Sequence, residues 1–288
     1  MESRAKTIAV KGSGVIAHLC SLMLSKSGLD VIHIKEDTFK KNDMFFAISP
    51  SSIDWFKGLD FPSIFFEKVH KISEIDLHSD ILQEKINFSA DDNFIESLAF
   101  MAKQDYFHDV FKVTHKNINA VNANKVLSYI FKDQSIDLIL EKDKLSCSLI
   151  VVCDDNDPLI KKEEFHSTSK DYHQTAFTFI FNSKEGFFDK ASQFFYEDSI
   201  LALLPLKSNE IGVVWSCNEQ LKKHLESLDE KELVNYLQNR IDRKFLIEIP
   251  LKQKNMFALK DKYFKSILSK RLVLIGDAAH KIHPMAGQ

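Results

Sequence analysis

The first 36 residues contain a βαβ pattern, which limits the fold more than any other feature of the chain. Residues 7–10 form a short β-prone run, and residues 12–17 fit the sequence G-x-G-x-x-[G/A]. Apolar residues then recur at helical spacing over residues 15–27, before a second β-prone run at residues 31–34. A glycine-rich turn between a strand and a helix is typical of a nucleotide-binding α/β fold with a parallel sheet.

Each residue type in this pattern has a physical reason. Gly12 makes the tight turn, Gly14 lets the backbone approach a pyrophosphate, and Ala17 permits close packing of helix on strand. The phosphates then meet the positive end of the helix dipole. Glu36 ends the second strand, where its carboxylate can accept hydrogen bonds from an adenosine ribose. The pattern therefore predicts FAD or NAD rather than a nucleotide with a 2′-phosphate.

A second pattern lies near the end of the printed sequence. Residues 272–275 form an apolar run long enough for a buried strand, and residues 278–280 predict a compact turn or helix. Gly276 lets the backbone bend or approach another molecule, and Asp277 places a carboxylate at the strand end. Such a carboxylate suits a sugar or polyol hydroxyl. The alternative is a buried strand that ends in a capping aspartate.

Residues 276–288, GDAAHKIHPMAGQ, resemble the second flavin-binding motif of the aromatic-ring flavoprotein monooxygenases. This stretch of sequence is most similar to that of the ubiquinone-biosynthesis hydroxylases within that family. The resemblance implies an α/β fold in which a Rossmann-like FAD-binding domain with a parallel sheet is interleaved with an antiparallel-sheet substrate domain. It makes Asp277, after Gly276, the ligand of a ribityl hydroxyl. It also implies that Pro284, Ala286 and Gly287 lie near the isoalloxazine ring.

Three weaker blocks continue the resemblance, each with a departure from the family pattern. Residues 44–60 are similar to a flavin-side block, but Met44 stands where the family has an arginine. An amphipathic helix at residues 51–57 explains the same block by packing alone. Residues 153–158 are similar to A-D-G-x-x-S; Asp154 is retained as a cofactor residue, and Asp155 replaces the glycine.

The third block, residues 199–206, is similar to G-P-L-A-x-L-P-[LM], with Ser199 and Ile200 at the glycine-proline pair. In the family this strand lines the substrate cavity, which implies that role for Leu201, Leu203 and Pro205. Ordinary sheet core is the alternative, because apolar strands need no ligand.

The resemblance sets the expected domain boundaries. The FAD-binding domain is expected at residues 1–63, 94–165 and 255–288, and the substrate domain at residues 64–93 and 166–254. Helices are predicted at residues 94–113 and 123–133 and across the charged region 219–240. Strands are predicted at residues 149–152, 176–181 and 211–215, with a return strand at 247–259.

Charge and hydropathy exclude several classes of protein. With 38 basic and 41 acidic side chains the net charge is −3, so nothing electrostatic calls for nucleic acid. No apolar run approaches the roughly 18 residues of a membrane span, and residues 1–12 lack a signal-peptide core. We therefore expect a cytoplasmic protein, with peripheral contact to a membrane or a biosynthetic complex as the further possibility. The four cysteines are scattered without a C-x-x-C pair and predict reduced thiols.

No metal site is expected. Asp277, His280 and His283 recur at three-residue intervals and would share one face of a helix. Pro284 argues against a regular helix there, and the flavin motif already accounts for these residues.

The resemblance implies hydroxylation of a prenylated phenol or quinol ring in ubiquinone biosynthesis, with FAD as cofactor and NADPH or NADH as reductant. Because the cofactor supplies the chemistry, no single acid-base residue is named. Two alternatives stay open. The sequence stops at Gln288, where family members continue, so one alternative is a truncated, catalytically weak or inactive member that acts as a scaffold or is a gene remnant. The other is a pyridine-nucleotide dehydrogenase that uses the first βαβ unit alone.

Overall fold

The computed structural model describes residues 7–36, 44–116, 118–162, 165–184, 189–241 and 247–282. The described residues form two compact units: those within 7–36, 107–170 and 260–282 make the first, and those within 44–106 and 171–259 make the second. Among the described residues, no helix has the length and apolar character needed to cross a membrane.

The strands are β1 (Ile8–Lys11), β2 (Val31–Lys35), β3 (Phe45–Ile48), β4 (His70–Ile72), β5 (Glu74–Ser79), β6 (Glu84–Ser89), β7 (Ala99–Lys103), β8 (Asn119–Asn122), β9 (Val126–Phe131), β10 (Ile136–Leu140), β11 (Lys144–Cys147), β12 (Leu149–Val152), β13 (Ser167–Asn182), β14 (Lys190–Phe195), β15 (Ser199–Lys207), β16 (Glu210–Asn218), β17 (Lys252–Phe264), β18 (Leu268–Ser269), β19 (Leu272–Leu274) and β20 (His280–Lys281). The helices are α1 (Val15–Lys26), α2 (Pro50–Gly58), α3 (Ser63–Lys68), α4 (Gln104–Thr114), α5 (Pro158–Lys162), α6 (Glu219–Ser227) and α7 (Glu230–Arg240).

The first unit is built on a parallel sheet with the strand order β19-β12-β1-β2-β8, and β18 adds an antiparallel edge. Successive residues of a strand point to opposite faces of the sheet, so each strand contributes side chains to a core on each face. Val10 and Val31 pack with Ala17 of α1 on one side, while Ala9 and Ile32 belong to the core on the other. The α/β fold with a parallel sheet is therefore confirmed, and β1, α1 and β2 lie where the sequence predicts them.

A three-stranded antiparallel sheet of β9, β10 and β11 packs on the face of the parallel sheet that carries Ala9 and Ile32. Ile136 and Leu138 of β10 are fully buried in it. The helix predicted at residues 123–133 is wrong, because those residues form a 3-10 turn followed by β9. The β-prone side chains of β9 pair with β10, and this pairing outweighs the weak helical pattern.

The second unit contains a sheet with the order β17-β13-β16-β15-β14-β5-β6. Its central pairs are antiparallel, and β14 and β5 are the parallel pair. Helices α6 and α7 cover one face with four buried leucines, namely Leu221, Leu225, Leu233 and Leu237. The predicted strands at residues 176–181 and 211–215 and the helical region at 219–240 are confirmed.

The opposite face of this sheet packs against a small sheet of order β3-β7-β4. Gly212 in β16 makes room for this layer, since a Cβ there would come 2.7 Å from Cζ of Phe45. The helix predicted at residues 94–113 is correct only from Gln104 onward. Phe94 adopts a left-handed conformation at φ +53°, and Ala99–Lys103 form β7 because β3 and β4 pair with both of its edges.

The compact units divide the chain differently from the expected domains in four segments, namely 44–63, 94–106, 166–170 and 255–259. Residues 44–63 and 94–106 belong to the second unit, since β3 and β7 pack on its large sheet. The return strand begins at Lys252, later than residue 247, and continues to Phe264. The expected boundaries between a FAD-binding domain and a substrate domain stay a prediction.

Candidate functional site

The turn after β1 has the backbone that the glycine-rich pattern predicts. Gly12 lies at φ +149°, and a Cβ there would come 3.0 Å from Cβ of Cys153 and 3.1 Å from Cβ of Ala17. Ala17 is fully buried, so the helix and the residue after β12 leave no space for a side chain at position 12. Position 12 therefore requires glycine, and position 17 requires a small residue.

The N-terminus of α1 is open to an anion. Gly14 is the N-cap residue in an extended conformation; its first turn contains no acidic residue, and no side chain of the described residues caps it. A Cβ on Gly14 would meet no atom of the described residues within 4 Å, so the position beside this residue is open in that part of the chain. The free N–H groups and the helix dipole favour a phosphate in that space.

Ser13 links the turn to two of the predicted cofactor residues. The backbone N–H of Glu36 donates to Ser13 Oγ over 3.0 Å, and the N–H of Ser13 donates to the carboxylate of Asp154. Glu36 is thereby held beside the turn at the end of β2, exposed to solvent. Ser13 occupies the variable position of G-x-G, so no sequence signal predicts these contacts.

Asp154 follows β12 and faces the turn, with Oδ1 3.2 Å from a Cβ placed on Gly12. Desolvation raises the pKa of the Asp154 carboxyl, and the hydrogen bond from Ser13 opposes that rise. Asp154, the residue retained in the block at 153–158, therefore lies directly at the glycine-rich turn, and its role in cofactor binding stays a prediction.

The two other acids of this turn are paired with lysines. Lys281 Nζ lies 3.0 Å from Asp155 Oδ2, and Lys11 Nζ lies 2.6 Å from Asp157 Oδ2. Asp157 is 5% exposed at its side chain, so its pairing with Lys11 offsets the cost of burying the charge. These lysines reduce the repulsion that an acidic turn would otherwise exert on a phosphate, and Asp154 carries the remaining negative charge.

The second motif lies beside α1. Gly276 has φ +59°, and a Cβ there would come 3.0 Å from Cγ2 of Ile16. The N–H of Ala278 donates to the carbonyl of Cys153 over 3.3 Å. These contacts bring the turn after β19 against both the helix N-terminus and the end of β12.

Asp277 occupies the middle of the 3-10 turn Gly276–Ala278 and is exposed. Desolvation raises the pKa of its carboxyl; Lys281 lowers it and Asp155 raises it further. An exposed carboxylate that is partly desolvated is suited to accept hydrogen bonds from hydroxyl groups of a ligand.

The three predicted motifs thus meet at one edge of one sheet. Gly12, Asp154 and Asp277 follow β1, β12 and β19, which are adjacent parallel strands. Ligands of open α/β sheets bind at the carboxyl ends of the strands. An uncapped helix N-terminus for phosphate and carboxylates for sugar hydroxyls fit an extended dinucleotide.

Residues 283–288 of the last motif lie outside the described residues, and they include His283, Pro284, Ala286 and Gly287. The positions predicted for the last three beside a flavin ring stay predictions.

The residues predicted to line a substrate cavity are all buried in β15. Leu201 and Leu203 belong to the core beneath α6 and α7, with exposures of 0% and 1%. Ala202 and Leu204 point to the other face, toward β4 and β7. Pro205 is also buried. The structure shows a packing role for the two leucines, and the cavity role of all three predicted residues stays a prediction.

A cavity of about 990 Å³ opens elsewhere in the second unit. Its lining is polar and includes His78, Asp198 and Arg240. The guanidinium of Arg240 donates to both carboxylate oxygens of Asp198 at 2.7 Å. Since this cation is already paired, the cavity offers no free positive charge at that position for an anionic ligand.

The first unit also contains a cluster of three histidines that no sequence pattern predicts. One ring nitrogen from each of His18, His33 and His115 lies within 4.8 Å of the others. His18 is in α1, His33 is in β2, and His115 follows α4. No local spacing marks such a cluster, because folding alone brings these three elements together.

Sequence comparisons match this chain to known proteins. The sequence model of the FAD binding domain family matches residues 141–288. The ubiquinone biosynthesis monooxygenase COQ6, mitochondrial, of Caenorhabditis elegans is 25% identical over 86% of this chain and 64% of its own length. The protein of the same name from Drosophila melanogaster is 24% identical over 84% of this chain and 60% of its own length. The chain spans about three fifths of the length of these curated relatives.

Solved structures share the fold at low sequence identity. The flavin-dependent halogenase CmlS has a TM-score of 0.78 and 14% identity, covering 99% of this chain and 55% of its own. Klebsiella pneumoniae HpxO complexed with FAD and uric acid has a TM-score of 0.74 and 15% identity, covering 98% of this chain and 75% of its own. The predicted FAD-binding α/β fold is therefore confirmed.

Proposed function

Because the chain belongs to the FAD binding domain family, we propose that it is a flavin-dependent monooxygenase that hydroxylates the ring of a prenylated phenol or quinol in ubiquinone biosynthesis. The observation that carries the proposal is the convergence of Gly12, Asp154 and Asp277 at the ends of three adjacent parallel strands. The names of the curated relatives support the reaction class and the pathway.

The proposed cofactor lies along this sheet edge. Its pyrophosphate is at the N-terminus of α1, where Gly14 leaves open space. Its adenosine ribose is at Glu36, and its ribityl chain is at Asp277. Asp154, held by the N–H of Ser13, faces the section between them. Pro284, Ala286 and Gly287 are proposed to lie beside the flavin ring.

When bound, the flavin supplies the transfer of electrons to O₂, which no side chain can perform. The residues of this chain bind and orient it. Asp277 accepts hydrogen bonds from hydroxyl groups, and the α1 dipole balances the phosphate charge. The proposed balance is one O₂, one NADPH or NADH, one proton and one ring C–H giving one ring C–OH, one water and the oxidised nucleotide.

The proposed substrate is an electron-rich aromatic ring with an apolar tail. The sheet of the second unit, including Leu201, Leu203 and Pro205, is proposed to supply apolar surface for it. A prenylated substrate resides in a lipid phase, so the proposal includes peripheral contact with a membrane or a biosynthetic complex by an otherwise cytoplasmic chain.

A second candidate function has its own observation. Asp155 stands where the family pattern has glycine, and its side chain is tied to Lys281 at 3.0 Å. A bulky residue limits the approach of a ligand backbone at this turn, and this favours a family member that binds FAD weakly and acts as a scaffold. Replacing Asp155 with glycine should then increase FAD affinity markedly, whereas the enzyme hypothesis predicts little change.

The experiment that tests the enzyme proposal uses the full chain reconstituted with FAD. We expect NADPH or NADH oxidation that a prenylated phenol stimulates, and a product that carries one oxygen atom from ¹⁸O₂. Oxidation that produces hydrogen peroxide alone, with every phenol tested and no labelled product, would overturn the proposal. The variant Asp277→Ala should reduce product formation in parallel with bound flavin. The matched control Asp143→Ala, on the β10–β11 hairpin, should leave both unchanged.

A further inference from the structure

We propose that His18, His33 and His115 form a binding site for a divalent transition-metal ion of the Zn²⁺ class. One nitrogen of each ring lies within 4.8 Å of the other two. His18 and His33 are 5% and 1% exposed, and His115 is partly buried. The ring centroid of His18 lies 4.6 Å from that of His33 and 5.0 Å from that of His115. Imidazole nitrogen is a preferred ligand of Zn²⁺, Cu²⁺ and Ni²⁺.

Hydrogen bonds already set the tautomer that metal binding needs in two of the rings. His33 Nε2 lies 3.0 Å from the carbonyl oxygen of Gly12, and His115 Nε2 lies 3.0 Å from that of His18. A carbonyl oxygen can only accept, so each Nε2 carries the proton and each neutral ring keeps a lone pair on Nδ1. Metal-binding histidines are oriented in the same way, by a carbonyl or carboxylate on the second nitrogen.

The Nδ1 atom of His33 gives a second, independent indication. It is buried and has no hydrogen-bond partner among the described residues. A buried acceptor without a partner is unfavourable unless a ligand or water satisfies it.

The three ring nitrogens must move closer together to bind one ion. Zn–N distances of 2.0–2.1 Å place tetrahedral ligands about 3.3 Å apart, so the rings must turn inward. His18 is held by stacking on Phe111, with ring centroids 4.5 Å apart. His33 and His115 must therefore make most of the movement. The contact between His115 Nδ1 and Thr114 Oγ1, at 3.1 Å, must open. The Thr114 hydroxyl keeps its hydrogen bond to the carbonyl of Val110.

The electrostatic surroundings give a direct way to test the site. Besides the three rings themselves, Lys35 and His108 act on the cluster, and both are basic. The ammonium of Lys35 therefore opposes a bound cation. Three imidazoles leave the fourth tetrahedral position open for water, as in zinc sites with three histidine ligands.

The experiment titrates Co²⁺, and separately Zn²⁺, into the untagged full chain after treatment with a chelator. We expect one ion per chain by elemental analysis and a visible Co²⁺ spectrum typical of tetrahedral nitrogen ligands. His115→Gln should weaken binding at least about tenfold, the loss seen even for outer-shell changes. Lys35→Gln should tighten it, a gain that a misfolded protein cannot produce.

His173→Gln provides the matched control, since this histidine is 89% exposed in the second unit, and its metal affinity should equal that of the parent chain. Circular dichroism confirms that each variant is folded. The proposal is overturned if the parent chain binds no stoichiometric Co²⁺ or Zn²⁺, or if folded His115→Gln binds as tightly as the parent. Flavin content plays no part in this readout, so the result is independent of the proposed function.

Discussion

Gly276 packs directly on Ile16, so that a Cβ at position 276 would lie 3.0 Å from the Cγ2 atom of Ile16. This contact joins the second flavin motif to the first turn of α1, although the two residues are 260 positions apart. It also explains why glycine is needed after β19, both for its φ of +59° and for the close approach.

Gly276→Ala should destabilise the chain by about 1–2 kcal/mol, because alanine at a positive φ is strained and its Cβ meets Ile16. Urea denaturation measures the change in the free energy of unfolding. Adding Ile16→Ala should recover the steric part of the loss relative to Ile16→Ala alone. The control Gly58→Ala, where a Cβ meets nothing within 4 Å and φ is not positive, should stay within about 0.5 kcal/mol. A loss at Gly58 equal to that at Gly276 would contradict this account.

The two glycines of the first motif should separate stability from cofactor binding. Gly12→Ala places a Cβ against Cys153 and Ala17 and should lower both the melting temperature and flavin affinity. Gly14→Ala meets no protein atom and should leave the melting temperature of the flavin-free chain nearly unchanged while weakening flavin binding. Thermal unfolding and flavin titration of both variants provide the test. A Gly14→Ala variant that binds FAD normally would remove the pyrophosphate from this position.

Much of the flavin-site half of the fold could be predicted from sequence because its signals are local. Strand, glycine turn, helix and acid follow one another between residues 7 and 36, and β12 and β19 are short apolar runs. The errors occurred where partners distant in sequence decide the structure. Ala99–Lys103 is a strand because β3 and β4 lie on either side of it. The pairing of Asp155 with Lys281, and the clustering of His18 with His115, likewise depend on tertiary contacts that no spacing reveals.

Acidification should destabilise the metal-free chain through His33. Desolvation lowers its pKa to about 4, with His115 and Lys35 acting in the same direction, whereas an unfolded histidine titrates near 6.5. Between pH values of about 4 and 6.5, this histidine binds a proton in the unfolded chain but not in the folded chain. The stability is therefore full above pH 6.5 and falls as the pH drops toward 4, by roughly 3 kcal/mol for this group.

The measurement is the free energy of unfolding at several pH values between 7 and 4, in the presence of a chelator. His33→Gln should make this dependence shallower, because its amide is neutral throughout and can still donate to Gly12. Some slope should remain, because burial also lowers the pKa of His18 and of His115. His173→Gln should follow the parent curve. An equally steep curve for His33→Gln would assign the effect to other groups.

In the second unit, Arg240 and Asp198 should contribute strongly to stability. The guanidinium donates to both Asp198 oxygens and to the hydroxyl of Tyr236, each over 2.7 Å, and lies over the ring of Tyr196. Asp198→Asn leaves this partly buried cation without its counter-charge and should cost about 2 kcal/mol, below the value for fully buried pairs. Chemical denaturation checks the change. Asp54→Asn, which breaks the exposed pair with Lys57, should leave the free energy of unfolding nearly unchanged, and equal losses at both sites would contradict the prediction.

The central claim is that one extended cofactor spans the Gly12–Gly14 turn and Asp277. Its most direct test compares the affinities of FAD and ADP for the parent chain, Gly14→Ala and Asp277→Ala, since ADP lacks the ribityl half. The account predicts that one FAD binds per chain, that Gly14→Ala weakens both ligands, and that Asp277→Ala weakens FAD while leaving ADP unchanged. A chain that binds no FAD, or an Asp277→Ala variant with the FAD affinity of the parent, would contradict it.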